Sequence, residues 1–304
     1  MKEDLMVSVR STARPLLRFC AAALMGLAAA GALAYAGPGE LRARYGELRE
    51  QLRHNSFQRA IHIDSSEAGD TLKGDVYAVL EHPFAKVRDA LKDPGDWCDI
   101  LLLPFNTKYC HADSANDGAS LQVRIGRKFD QPVKNAYRLD FALRPIAATQ
   151  EYFESRLDAG SGPLGTKDYR IVVSAVPLDG GRTFLHLSYS YGYGMAGRMA
   201  MQGYLATAGA DKVGFTATGK DANGQPIYIG GMRGAVERTA MRYYLAVDAH
   251  LASLSAPPER QLDKRIDAWF NATERYPRQL HEMDRATYVA MKRGEYERQQ
   301  TAIR

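Results

Sequence analysis

The chain has 304 residues, of which 45% are hydrophobic and 25% charged, and 40 Lys and Arg against 35 Asp and Glu leave a formal net charge of +5. The length fits one large domain or one domain with an appendage. No block of Lys or Arg interleaved with aromatics supplies the electrostatic footprint of a nucleic-acid-binding protein, so nucleic acid is not expected as a partner.

Residues 1–36 read as an export signal. Lys2, Arg10, Arg14 and Arg18 outnumber Glu3 and Asp4, an Ala/Leu-rich run follows from Phe19 to Ala34, and Ala34-Tyr35-Ala36 offers small residues at the first and third positions of a cleavage site. Gly37-Pro38-Gly39 then breaks any helix. The alternative is an uncleaved anchor, but the apolar run falls short of the roughly 20 residues that span a bilayer. Cleavage after Ala36 removes four basic and two acidic residues and takes +5 to +3. A periplasmic location is therefore expected, with no second apolar span in the remainder. In such an oxidising compartment Cys98 and Cys110 are expected to form a disulfide, the alternative being two buried thiols.

Leu41, Tyr45, Leu48 and Leu52 recur at helical spacing and predict an N-terminal helix within residues 37–55. Residues 60–63 and 74–80 predict two strands, with a turn-rich stretch at 65–70 between them. His82-Pro83 opens a helix whose Phe84, Val87 and Leu91 share a face, Asp93-Pro94-Gly95 stops it, and Trp97, Ile100 and Leu101 suggest a second.

From residue 106 the period changes to two. Leu121-Val123-Ile125, Tyr137-Leu139-Phe141-Leu143, Phe153-Ser155-Leu157, Tyr169-Ile171-Val173-Ala175 and Leu185-Leu187-Tyr189-Tyr191 predict half-buried antiparallel strands. Their opposite faces carry Arg138, Asp140, Arg170, Ser174, Ser188 and Ser190, which predicts a sheet wet on one side. Beyond Tyr193 come a short Met-rich helix with Met195, Met199, Met201 and Tyr204, a hairpin turning at Asp221-Ala222-Asn223-Gly224, and a long helix from about 232 to 254. Val236, Ala240, Tyr244, Val247, Leu251 and Leu254 form its apolar stripe. Residues 256–304 predict one or two covering helices.

Two strands, two helices, a run of antiparallel strands and a long closing helix resemble the helix-grip fold of the START-like family, which includes lipid-transfer, polyketide cyclase and plant allergen-type proteins. The resemblance rests on Asp75-Val76-Tyr77-Ala78-Val79, the helical pair from His82-Pro83-Phe84 to Trp97-Cys98, the strands up to Tyr193, and the helix at 233–254. It spans residues 56–254, with 194–231 as an insertion and 256–304 as an extension. It implies an α+β fold in which a curved sheet wraps the long helix and leaves an apolar pocket. Alternation then assigns Tyr137, Phe141, Phe153, Tyr169, Tyr189 and Tyr191 to the pocket wall, with Met195, Met199 and Tyr244 as further ligand contacts. The plainer reading of each aromatic is core packing. The insertion, with adaptable Met and glycines at 192, 194, 197 and 203, reads either as a lid or as a packed surface excursion.

Catalytic signatures are sparse. The seven histidines make no metal-spaced pair, and no nucleophile elbow or dinucleotide fingerprint occurs, so no catalytic residue, metal or cofactor is assigned. Arg124, Asp140, Glu154 and His186 are the groups an enzyme would draw on, yet alternation turns Asp140 and His186 away from the pocket. The expected partner is a hydrophobic small molecule or lipid, with transient membrane contact compatible with carriage and no protein partner identified. A cyclase-type enzyme in the same cavity and an envelope interaction module are the alternatives.

Overall fold

The computed structural model describes residues 37–115, 118–207 and 209–299. The expected signal segment and its cleavage point after Ala36 lie outside the described residues.

Helix α1 (Pro38–Arg53) begins with proline in its first turn, where the missing N–H costs nothing. Strands β1 (Ile61–Ala68) and β2 (Thr71–Leu80) follow, then helices α2 (Phe84–Lys92) and α3 (Pro94–Leu102). Asp93 both ends α2 and caps α3, its Oδ1 accepting from the amides of Gly95 at 2.7 Å and Asp96 at 3.1 Å. Next come β3 (Thr107–Ala115), β4 (Gly118–Ile125), β5 (Tyr137–Ala148), β6 (Phe153–Ser161), β7 (Thr166–Leu178) and β8 (Arg182–Tyr193). The turn between β7 and β8 needs positive φ at consecutive residues, +74° at Gly180 and +69° at Gly181, which glycine adopts without a Cβ clash.

All eight strands make one antiparallel sheet in the order β1-β2-β8-β7-β6-β5-β4-β3. The earliest hairpin thus pairs with the last strand, Val76 opposite Leu187. Only a chain that doubles back over the full domain can make that pairing.

Helix α4 (Met195–Leu205) and a small hairpin of β9 (Ala217–Lys220) and β10 (Pro226–Tyr228) lead into the long helix α5 (Gly231–Ser253). The sheet grips α5. Val236, Ala240, Tyr244, Val247 and Leu251 are all buried in the main core with Leu72, Val76, Leu185 and Leu187 from β2 and β8, each large side chain contributing about 1.5–3 kcal/mol by leaving water. Gly74 lets helix and sheet approach closely: a Cβ there would sit 3.1 Å from the Val236 carbonyl oxygen and 3.2 Å from Ala240 Cβ. This is the α+β helix-grip architecture.

Three features depart from the sequence reading. Residues 65–68 are strand, and the turn shrinks to Gly69-Asp70, because the polar side chains find partners: Ser65 Oγ donates to Glu237 at 2.6 Å, and Glu67 accepts from the Tyr193 hydroxyl at 2.7 Å. The sheet is not simply wet on its outer face. There α1 buries Leu41, Leu48 and Leu52 against Tyr152, Val176 and Phe184, a second core that leaves Ser174 and Ser188 buried while Arg138 and Asp140 stay exposed. The C-terminal extension forms three helices, α6 (Pro258–Thr273), α7 (Pro277–Leu280) and α8 (Arg285–Gln299). Far from merely covering the domain, it drives Trp269, Leu280 and Tyr288 into the main core.

Cys98 of α3 and Cys110 of β3 are joined in a disulfide. Both cysteines are buried, so the bond ties the helical pair to the edge strand from inside. Among the described residues no helix is long and apolar enough to cross a membrane.

Candidate ligand-binding site

The α5 stripe legible in the sequence is packed solid against the sheet. Rotated by one residue, or about 100° around the helix, lies a second row of Met232, Ala235, Thr239 and Tyr243, and this row borders open space. The space runs between the ends of β7 and β8, helix α4 and the loop around Asn106, and it has two lobes of about 340 and 280 Å³. They share Asn106, Met201, Tyr204, Ala235, Thr239 and Tyr243 as a common waist.

The larger lobe is walled by Tyr169, Tyr189, Tyr191, Tyr193 and Tyr243. Alternation along β8 turns its three tyrosines to one face, and they pack as a cluster: Tyr169 stacks on Tyr191 at 5.4 Å between centroids, and Tyr189 lies 5.7 Å from Tyr191 and 5.4 Å from Tyr243. The hydroxyl of Tyr169 donates to Thr166 and that of Tyr193 to Glu67, each at 2.7 Å. Those of Tyr189, Tyr191 and Tyr243 have no hydrogen-bond partner among the described residues, although all three side chains are buried. Burial pushes these three phenols up, so they stay protonated at neutral pH and can donate.

The smaller lobe is cationic. Arg127 and Lys128 reach it from just beyond β4, and Arg238 and Arg242 from α5, against Pro104 and Phe105. Glu282, from the link between α7 and α8, accepts from Lys128 and from Arg242 at 2.6 Å each and lies 3.8 Å from Lys212. Burial by itself would raise the Glu282 carboxyl, but Arg242, Lys128 and Lys212 hold it below its ordinary value. Arg238 is 3% exposed, and no carboxylate lies within ion-pair distance of it among the described residues. It donates to the Val213 carbonyl at 3.2 Å, and burial pulls its pKa down. The Nε of Arg242 is likewise buried without an acceptor. Phenols, guanidiniums and an ammonium thus supply hydrogen-bond donors in both lobes.

The structure brings three of the sequence-predicted residues to this cavity: Tyr169, Tyr189 and Tyr191. Phe141, Phe153 and Tyr244 share the inward direction, but they sit deep in the main core where α5 and the sheet touch, and they do not line it. Tyr137 is 52% exposed at the start of β5, beyond the covering helices. Met195 and Met199 are 80% and 66% exposed, because α4 turns Gly197, Ala200, Met201 and Tyr204 to the cavity and these two methionines to solvent. The insertion is therefore one wall of the cavity, through a different face of its helix from the one expected.

Of the polar groups an enzyme would draw on, Asp140 pairs with Arg138 at 2.6 Å on the outer face, and His186 bonds Asp75 at 2.8 Å while stacking on Tyr77. Glu154 is buried and accepts from the Tyr152 hydroxyl. Arg124 pairs in register with Arg138 on the neighbouring strand. Elsewhere Asp96, Asp99 and His250 gather with ligand atoms within 4.8 Å of one another, the one such metal-competent group among the described residues. Arg265 already meets Asp99 at 2.7 Å and supplies positive charge there.

Sequence reasoning missed Tyr243, Thr239, Arg238, Arg242 and Lys128. One signal was present: Arg238 and Arg242 stand one turn apart on a helix whose other faces are largely apolar.

No family model matches the chain, and no curated protein matches it. Solved structures do. A conserved protein of Geobacillus kaustophilus is similar at 12% identity and a TM-score of 0.35, with 60% of this chain and 95% of that one covered. A Thermus thermophilus protein is similar at 9% identity and a TM-score of 0.39, covering 60% and 99%. Norcoclaurine synthase of Thalictrum flavum, solved with dopamine and hydroxybenzaldehyde, is similar at 14% identity and a TM-score of 0.32, covering 48% and 87%. At these identities and TM-scores the likenesses carry no function across to this chain.

Proposed function

We propose that this chain binds a hydrophobic small molecule in the tyrosine-walled cavity between sheet and helix, and that it does so as a carrier exported to the periplasm. The observation that carries the binding reading is that Tyr189, Tyr191 and Tyr243, three otherwise buried side chains, turn hydroxyls with no protein partner among the described residues to open space. A ligand with an apolar body and a few acceptors would fill that space and take the hydrogen bonds these hydroxyls offer. The signal-like start of the sequence and the Cys98–Cys110 disulfide support export.

The test is titration of the purified chain with N-phenyl-1-naphthylamine, a neutral apolar fluorophore that brightens when it leaves water. Saturable binding is expected, weakened at least 10-fold in Ala235→Trp, whose indole fills the waist without touching the packed α5 stripe. Absence of saturable binding, or equal affinity in the variant with an unchanged circular dichroism spectrum, refutes the cavity reading. Export is checked separately by intact-mass analysis of the periplasmic fraction, with a mature chain beginning at Gly37 expected.

A further inference from the structure

The cationic lobe is not explained by an apolar ligand alone. A guanidinium as buried as Arg238 costs several kcal/mol unless an anion faces it, yet the fold supplies none within ion-pair distance among the described residues. The carboxylate that pairs with the lobe's cations, Glu282, is shared among Lys128, Arg242 and Lys212. Its Oε1 takes both short contacts, so positive charge remains in excess. The waist of Thr239, Tyr243 and Tyr204 joins this lobe directly to the tyrosine lobe. Apolar wall and positive end are therefore adjacent parts of one cavity.

We propose that the ligand is an anionic amphiphile, with its apolar part in the tyrosine lobe and its carboxylate or phosphate against Arg238 and Arg242, and that Glu282 is the lobe's resident counter-ion. This rests on the cavity reading above and deepens it. Guanidinium favours both anions, since its planar fork donates two parallel hydrogen bonds to either. Glu282 reaches the cluster from the C-terminal extension rather than from the sheet or α5, so the extension sets the charge of the site. When a ligand anion arrives, Arg238 receives it beside the Arg242 guanidinium, and Glu282 opposes it by like charge.

Decanoate, decyl phosphate and decanol share one tail and differ in the head. Their power to displace N-phenyl-1-naphthylamine from the full chain at pH 8 is the measurement. Decanoate or decyl phosphate, or both, should displace at concentrations at least 10-fold below decanol, and the better of the two identifies the headgroup source. In Arg238→Met that ratio should collapse toward one. Because Arg238 has no ion pair to lose and gives up only neutral hydrogen bonds such as that to the Val213 carbonyl, the variant should melt within a few degrees of the wild type, which separates ligand recognition from a structural role. Glu282→Gln should widen the ratio several-fold, whereas a purely structural Glu282 would narrow it by loosening Lys128 and Arg242. Equal displacement by all three compounds, with the fluorophore still bound, overturns the anion subsite and leaves the cavity reading standing. No fluorophore binding at all overturns both.

Discussion

Reducing the Cys98–Cys110 bond removes a covalent tie between α3 and the edge strand β3. The two residues are separated by 12 positions, and in the chain-entropy model a loop of that size lowers the entropy of the unfolded chain by about 10 cal/mol/K, or about 3 kcal/mol at 25 °C. With a urea slope of about 3 kcal/mol/M, the upper end for small proteins, the midpoint should fall by about 1 M. The matching change in melting temperature is about 6–12 °C for a domain of this size. Equilibrium urea unfolding followed by tryptophan fluorescence suits the question, because Trp97 lies one residue from the bond and is buried. The oxidised chain, the chain in a phosphine reductant and the Cys98→Ala/Cys110→Ala variant should be compared. The variant should be at least as destabilised as the reduced chain, since it also loses two buried sulfurs. Coincident midpoints for oxidised and reduced chains refute the reasoning, as does alkylation of both thiols before any reductant is added.

Two further expectations concern buried charge. Lys108 and Lys292, both fully buried, converge on Glu295 at 2.9 and 2.6 Å, and burial pushes the Lys292 ammonium down to about 8. Glu295→Gln leaves two ammoniums uncompensated and should cost about 3–5 kcal/mol, whereas Lys292→Met leaves a balanced Lys108–Glu295 pair and should cost less; the reverse order in urea denaturation contradicts this account. Asp248 lies 2.7 Å from Arg59 and 3.6 Å from His82; burial alone would raise its carboxyl, but these partners hold it below the ordinary carboxylate range. With the folded value below the unfolded one, its stabilisation is complete above about pH 5 and is lost as the pH falls through the folded value. Asp248→Asn should therefore flatten the fall in stability below about pH 5, and parallel curves for variant and wild type would contradict it.

Much of the fold was legible because its signals are local. Alternation on β4 to β8 placed apolar residues on one face, the 3.6-residue period marked α1 and α5, and Asp93-Pro94-Gly95 marked the junction of α2 and α3. Polar composition misled at residues 65–68, where partners from α5 and β8, more than 100 positions away, make strand of what reads as turn. The outer face misled for the same reason. Its Val176 and Phe184 were visible in the sequence, but nothing local says that α1 returns to cover them.

The candidate site shows that division most sharply. Alternation alone settles that Tyr189 and Tyr191 point inward, because successive strand side chains must take opposite faces. It cannot distinguish them from Phe141 and Phe153, which point the same way, since whether an inward ring meets helix or open space depends on the path of α5 across the sheet. That path is set by the close contact at Gly74, by Trp269 bonding the Arg242 carbonyl from α6, and by Glu237 bonding the Phe215 and Thr216 amides. Lys128, Arg238, Arg242 and Glu282 lie as much as 154 positions apart, and their convergence belongs to the tertiary structure alone. Periodicity fixes which way a side chain faces; only the packing of distant segments fixes what it meets there.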